Sequence, residues 1–138
     1  MSPNVLMALS VSIIGLLGLG HFLLTFWGPK LLPRDRSLQQ AMSGVAPVIT
    51  TQTDFWRMWI GFNTSHAMGA MLFGLVYGYL ALVHGEVVFG SVFLQVVGFA
   101  MLAGFVALAK LYWFITPLVG SCVSLMLYSL SIALAWAG

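Results

Sequence analysis

The chain has 138 residues, 61% of them hydrophobic and 6% charged, and its five Lys and Arg exceed its three Asp and Glu by a formal charge of +2. A soluble domain carries about a quarter charged residues, so this composition excludes a water-soluble globular domain, and so few cations exclude a nucleic-acid-binding surface. The one cysteine, Cys122, excludes an internal disulfide, a CxxC pair and tetrathiolate metal or iron–sulfur sites; it is expected to be a buried small hydrophobe.

An apolar run over Val5–Trp27 opens the chain. About 20 helical residues cross a hydrocarbon core roughly 30 Å thick, and this run is long enough. No basic residue precedes it, as a cleavable secretory signal would require. It therefore reads as a retained first span with its N-terminus outside. Trp27-Gly28-Pro29 ends it, since glycine and proline stop helices.

A loop over 28–54 follows, holding Pro29, Pro33 and Pro47 and most of the charge. Ser37-x-x-Gln40 fits a capping box, and Leu38, Met42 and Val45 recur at helical spacing. A short interfacial helix over Ser37–Ser43 is expected. Thr53 or Asp54 should cap the second span, 55–83. A third span is expected over 87–109 and a fourth over 111–137, joined by very short turns at His84-Gly85-Glu86 and Lys110. Pro117 should kink the fourth. Lys30, Arg34, Arg36, Arg57 and Lys110 all fall in or beside the first and third connections. If every run crosses, those connections share one side, which the positive-inside rule makes cytoplasmic. The expected fold is all-α: a single membrane domain, an integral membrane up-and-down four-helix bundle with both termini outside. Trp27, Trp56, Trp59, Tyr112 and Trp113 would line the cytoplasmic interface, and Tyr79 and Trp136 the outer one.

No Asp, Glu, Lys or Arg lies deep in a span; Arg57 sits within one turn of the interface and can snorkel. This weighs against an ion pump and against a proton-coupled antiporter. The unequal first and third loops argue against an inverted-repeat transporter. Two histidines remain. His21 lies roughly 9 Å before Trp27, and His66 roughly 10 Å beyond Trp59, by helical rise. On antiparallel helices both occupy the cytoplasmic half at similar depth. Ser10, Gly18, His21 and Thr25 share a stripe of the first span; Trp59, Asn63, His66, Ala70, Gly74 and Tyr77 share one on the second.

Several readings of this pair stay open. The histidines bind a ligand together, and the candidates are a b-type haem held by two imidazoles, a metal, or the polar head of an amphipathic molecule such as a quinone. Alternatively, each is a neutral ring making an interhelical hydrogen bond. Gln95 on the third span, and Ser124 and Tyr128 within the stripe Thr116, Gly120, Ser124, Tyr128 and Ser131 on the fourth, would line a polar cleft with His21, Thr25, Asn63 and His66. His84, in the outer turn, is read as solvated. Small residues mark helix packing: Gly18 on the first span; Gly61, Ser65, Gly69, Gly74 and Gly78 on the second; Gly104 on the third. Gly74-x-x-x-Gly78 allows packing within the chain or a homodimer seam. No spacing supplies a nucleophile with a base and an orienting acid.

Trp56–Gly74 reads WRMWIGFNTSHAMGAMLFG. Gly61, Phe62, Asn63, Ser65, His66, Gly69, Leu72, Phe73 and Gly74 carry a resemblance to small bacterial four-helix membrane proteins of unassigned function, whose second span has a Gly-Phe-Asn-x-Ser-His segment. Gly20-His21 matches as well. The resemblance implies the topology and a bacterial inner-membrane location, and supplies no activity. The function expected is a non-enzymatic accessory subunit or binder of a lipid-like ligand. The alternative is a redox subunit holding haem b or quinone through His21 and His66. Its partners would be the lipid bilayer and either another membrane protein or a second copy.

Overall fold

The computed structural model describes the whole chain, Met1–Gly138, and is built from helices alone: α1 Pro3–Phe26, α2 Arg36–Gly44, α3 Phe55–Val83, α4 Gly85–Gly90, α5 Val92–Tyr112 and α6 Ile115–Ala137. Four of them, α1, α3, α5 and α6, are long and apolar enough to cross a membrane. Their outer faces bear Leu16, Leu72, Leu75, Phe93 and Met126, each more than 60% exposed. Such faces need an apolar solvent to cover them. Every Lys and Arg is exposed.

The ends of the helices follow from local chemistry. Pro3 opens α1, where its missing N–H costs nothing, and Ser2 Oγ accepts from Val5 N at 3.4 Å. Gly28, at φ 95°, takes the left-handed conformation just past the end of α1. The short loop helix is capped by Asp35 rather than Ser37: the carboxylate accepts from Ser37 N at 2.8 Å. An ionised oxygen two residues upstream outcompetes the hydroxyl expected to start the helix. Asp54 caps α3 in the same way, accepting from Arg57 N at 2.8 Å, and pairs with the Arg57 guanidinium at 3.4 Å.

The Asp35 cap makes a pH prediction. Hydrogen bonding from Ser37, side chain and then backbone, holds the Asp35 carboxyl below its ordinary value. A group depressed in the folded state stabilises above its unfolded pKa and loses that effect as pH falls through the folded one. Amide exchange over Arg36–Gly44 should therefore accelerate as pH drops below the ordinary carboxylate range. Asp35→Ala should show that fast exchange, corrected for intrinsic rates, already at neutral pH.

The third apolar run is not one helix. It breaks at Gly90-Ser91, where Ser91 leaves helical geometry and its hydroxyl accepts from Leu94 N at 3.3 Å to start α5. The helix then continues to Tyr112, placing Lys110 in its last turn beside the negative end of the dipole. Because α6 begins only at Ile115, Pro117 falls in its first turn instead of its interior. At that position it has no cause to kink the helix, since first-turn amides have no intrahelical acceptor to lose. Cys122 is exposed on α6 instead of buried; its neighbours Ser121 and Ser124 take the inward face.

The chain divides into two compact units: residues 1–17 with 70–138, and residues 18–69. The first holds the apolar core of Met7, Val11, Ile14, Phe73, Tyr77, Leu102, Phe105 and Tyr128. Its helices meet through small residues and hydroxyls. A Cβ built on Gly74 would lie 2.9 Å from Gly15 Cα and 3.0 Å from Val11 O, so α1 and α3 touch backbone to backbone. Ser10 Oγ donates to Ser124 O at 2.6 Å and Ser124 Oγ donates to Ser10 O at 2.8 Å, while Ser131 Oγ donates to Pro3 O at 2.9 Å. Within this unit α1 and α6 therefore run antiparallel.

Candidate functional site

The polar residues singled out in the sequence divide between the two units. His21, Thr25, Asn63 and His66 lie in the second; Gln95, Ser124 and Tyr128 lie in the first. Each set finds hydrogen-bond partners within its own unit.

In the first unit the polar groups close on one another. Gln95 Nε2 donates to Phe89 O at 2.7 Å and to Val88 O at 3.4 Å, covering carbonyls that the end of α4 leaves open. Gln95 Oε1 accepts from Trp136 Nε1 at 3.1 Å. Tyr128 Oη donates to Gln95 O at 3.0 Å, and Tyr77 Oη donates to Leu94 O at 2.8 Å. No buried side-chain nitrogen or oxygen lacks a partner. The set reads as structure: it splints the α4–α5 break, a role invisible until the break itself is known. Trp136, expected only as an interface anchor, belongs to it.

The second unit contains the two histidines. Gly18, His21 and Thr25 share a face of α1 by the i, i+4 and i, i+3 rule, and Asn63 and His66 share one of α3. Asn63 Nδ2 donates to Trp59 O, one turn back, at 2.7 Å. This bond turns the amide oxygen toward α1, where it meets His21 Nε2 at 2.9 Å. The rings of His21 and His66 then stand edge to face, with centroids 5.4 Å apart and planes at 90°. Thr25, which is buried, donates its Oγ1 hydrogen to His21 O at 2.8 Å, a back-bond within α1. His21, Asn63 and His66 are all half-buried. No group of three or more His, Cys, Asp or Glu side chains converges here or elsewhere in the chain.

The small residues also separate into two kinds. Gly74 meets Gly15, a partner that sequence spacing did not single out, and Gly78 meets Val11 at an ordinary 3.8 Å; Gly18 is buried. Gly98, likewise not singled out, lies under the Tyr128 hydroxyl and Tyr77. The packing expected of Gly61, Gly69 and Gly104 is not made within the chain, because a Cβ at any of them would meet nothing within 4 Å. Ser65 is exposed and bonds back to Phe62 O at 3.1 Å. Gly69 stands one turn from His66 on α3, with open space where its Cβ would lie. Gly61→Ala and Gly69→Ala should be neutral or stabilising by about 0.5 kcal/mol, from reduced freedom of the unfolded chain; unfolding of the purified variants in mixed micelles measures this.

His84, at the turn before α4, does not stand alone. Its Nδ1 faces Glu86 Oε1 at 3.5 Å and its Nε2 faces the Tyr79 hydroxyl at 3.3 Å, all three residues being exposed.

No protein-family model, curated protein sequence or solved structure matches the chain.

Proposed function

We propose that this chain is a non-enzymatic integral membrane protein that holds the polar head of a lipid-like ligand at His21, Asn63 and His66. The carrying observation is the pairing of two half-buried imidazoles at 5.4 Å with an amide locked against one of them, beside a helix face left open at Gly69. Polar side chains inside an apolar span are costly to keep, and function is the usual reason for them. The topology that supports this reading is an up-and-down four-helix bundle with both termini outside and the Lys/Arg-bearing connections in the cytoplasm, in a bacterial inner membrane. The open small-residue faces at Gly61, Gly69 and Gly104 leave room for a membrane-protein partner or a second copy, as an accessory subunit would need.

The hydrogen bonding favours a lipid-like head over haem. His21 would offer a haem iron its Nε2, and that atom is already bonded to Asn63. Native mass spectrometry of the gently extracted protein tests the proposal. The wild type is expected to retain an amphipathic molecule, and His21→Ala and Asn63→Leu to lose it by on the order of tenfold, the effect of one hydrogen bond with its partner left unpaired. Equal retention by folded variants would overturn the site. A Soret absorbance band in the purified wild type would replace the lipid reading with the haem alternative.

A further inference from the structure

The orientation of Asn63 determines which kind of head group the histidine site accepts. The amide is held by two bonds of opposite sense. Its Nδ2 donates to the Trp59 carbonyl at 2.7 Å, so rotating the amide by half a turn would set oxygen against oxygen there. The amide oxygen is therefore the atom that faces His21 Nε2 at 2.9 Å, and an amide oxygen only accepts. The hydrogen of this bond must come from Nε2. No carboxylate belongs to the cluster: Asp54 is engaged by Arg57 and by its own helix amide. In a neutral imidazole one nitrogen bears the hydrogen and the other a lone pair. In that form of His21, with Nε2 donating to Asn63, Nδ1 is the lone-pair nitrogen.

That atom is also accessible. The ring of His21 makes one hydrogen bond, through Nε2. Every fully buried side-chain nitrogen and oxygen has a partner, so Nδ1, which has none, keeps some exposed surface. An accessible acceptor on an apolar helix is matched by a donor. A carbonyl or ether oxygen brought to it would set two lone pairs against each other.

We infer that the His21 subsite selects amphiphiles whose head group donates a hydroxyl hydrogen to Nδ1, and discriminates against heads that carry only carbonyl or ether oxygens. This rests on the ligand-binding reading of the same site. The shared chemistry is a hydroxyl on an apolar tail, and it has two sources: a hydroquinone, or a glycerolipid with a free hydroxyl.

Two measurements on the wild-type protein in micelles test it, and neither depends on a variant folding. Nitrogen-15 spectra of histidine-labelled protein report the tautomer; His21 is expected to bear its hydrogen on Nε2, and a hydrogen on Nδ1 would overturn the inference whatever the protein binds. Binding is then compared within matched pairs: decylhydroquinone against its dimethyl ether and against decylbenzoquinone, and dioleoylglycerol against its methyl ether. The hydroxyl member of at least one pair should bind more tightly by on the order of tenfold to a hundredfold, the effect of making one hydrogen bond against leaving a lone pair opposed. Preference in the first pair names a hydroquinone source, and preference in the second a glycerolipid source. Equal binding within both pairs would overturn donor selection while the ligand site stands. Failure of every probe to bind, with the tautomer as expected, would overturn the ligand site itself and the selection with it.

Discussion

Tyr128→Ala is expected to destabilise the protein by about 3 kcal/mol, the usual scale for removing a buried aromatic ring without collapse of the site. Tyr128 has no exposed surface and lies in the core with Tyr77 and Leu102. Its ring stands 6.4 Å from that of Tyr77, and its hydroxyl reaches Gln95 O at 3.0 Å. Gly98 sits directly beneath the hydroxyl and leaves no room for a Cβ, so no neighbour at that position can swell into the space. In a membrane the lost term is packing, since lipid is as apolar as the core. Tyr128→Phe separates ring from hydroxyl: it keeps the volume and should cost about 0.6 kcal/mol, the average of a membrane hydrogen bond. Unfolding by titrated SDS in mixed micelles measures both. A loss for Tyr128→Ala no larger than that for Tyr128→Phe would show that the ring is not packed as described.

Gly74→Ala is expected to cost about 1–3 kcal/mol, as overpacking does in a close-packed interior. The new methyl would lie 2.9 Å from Gly15 Cα, 3.0 Å from Val11 O and 3.1 Å from Gly15 N. All three are backbone atoms of α1, so relief requires moving a helix and not turning a side chain. The reciprocal change is asymmetric. A Cβ on Gly15 would stand 3.6 Å from Gly74 Cα, an ordinary contact, so Gly15→Ala should be tolerated. Gly78→Ala should be tolerated too, because Val11 lies at 3.8 Å. Of the Gly74-x-x-x-Gly78 motif, only the first glycine is needed within the chain. Equal losses for Gly74→Ala and Gly15→Ala, in the same micelle titration, would contradict this crossing.

The helical class and the four apolar stretches were legible because backbone and bilayer demand them: about 20 apolar residues in a row have no other stable form in lipid. The Asp54 cap was legible from its position before an apolar run. The break at Ser91 was not, because an apolar run looks continuous when the helix stops on a serine hydroxyl. Misreading that run hid the contacts of Gln95, whose amide closes the carbonyls of α4. Pro117 was misplaced for a similar reason: four residues' difference in where α6 starts moves it from a helix interior to a first turn. Cys122 was assigned inward by residue type, whereas a membrane helix can face a cysteine to lipid at little cost.

The histidine cluster shows the same division. Helical rise alone sets His21 and His66 at comparable distances from Trp27 and Trp59, and helical period sets Asn63 on the face of His66. Period and rise act within one helix and carry no information about which faces meet. Contact depends on how two helices cross, and that is decided by side chains and backbone far apart in sequence. The tertiary structure alone decided that the rings pack edge to face at 5.4 Å, that Asn63 bonds His21, and that Gln95, Ser124 and Tyr128 belong to a different unit. It alone decided which way the Asn63 amide faces, because a carbonyl of Trp59 holds its nitrogen.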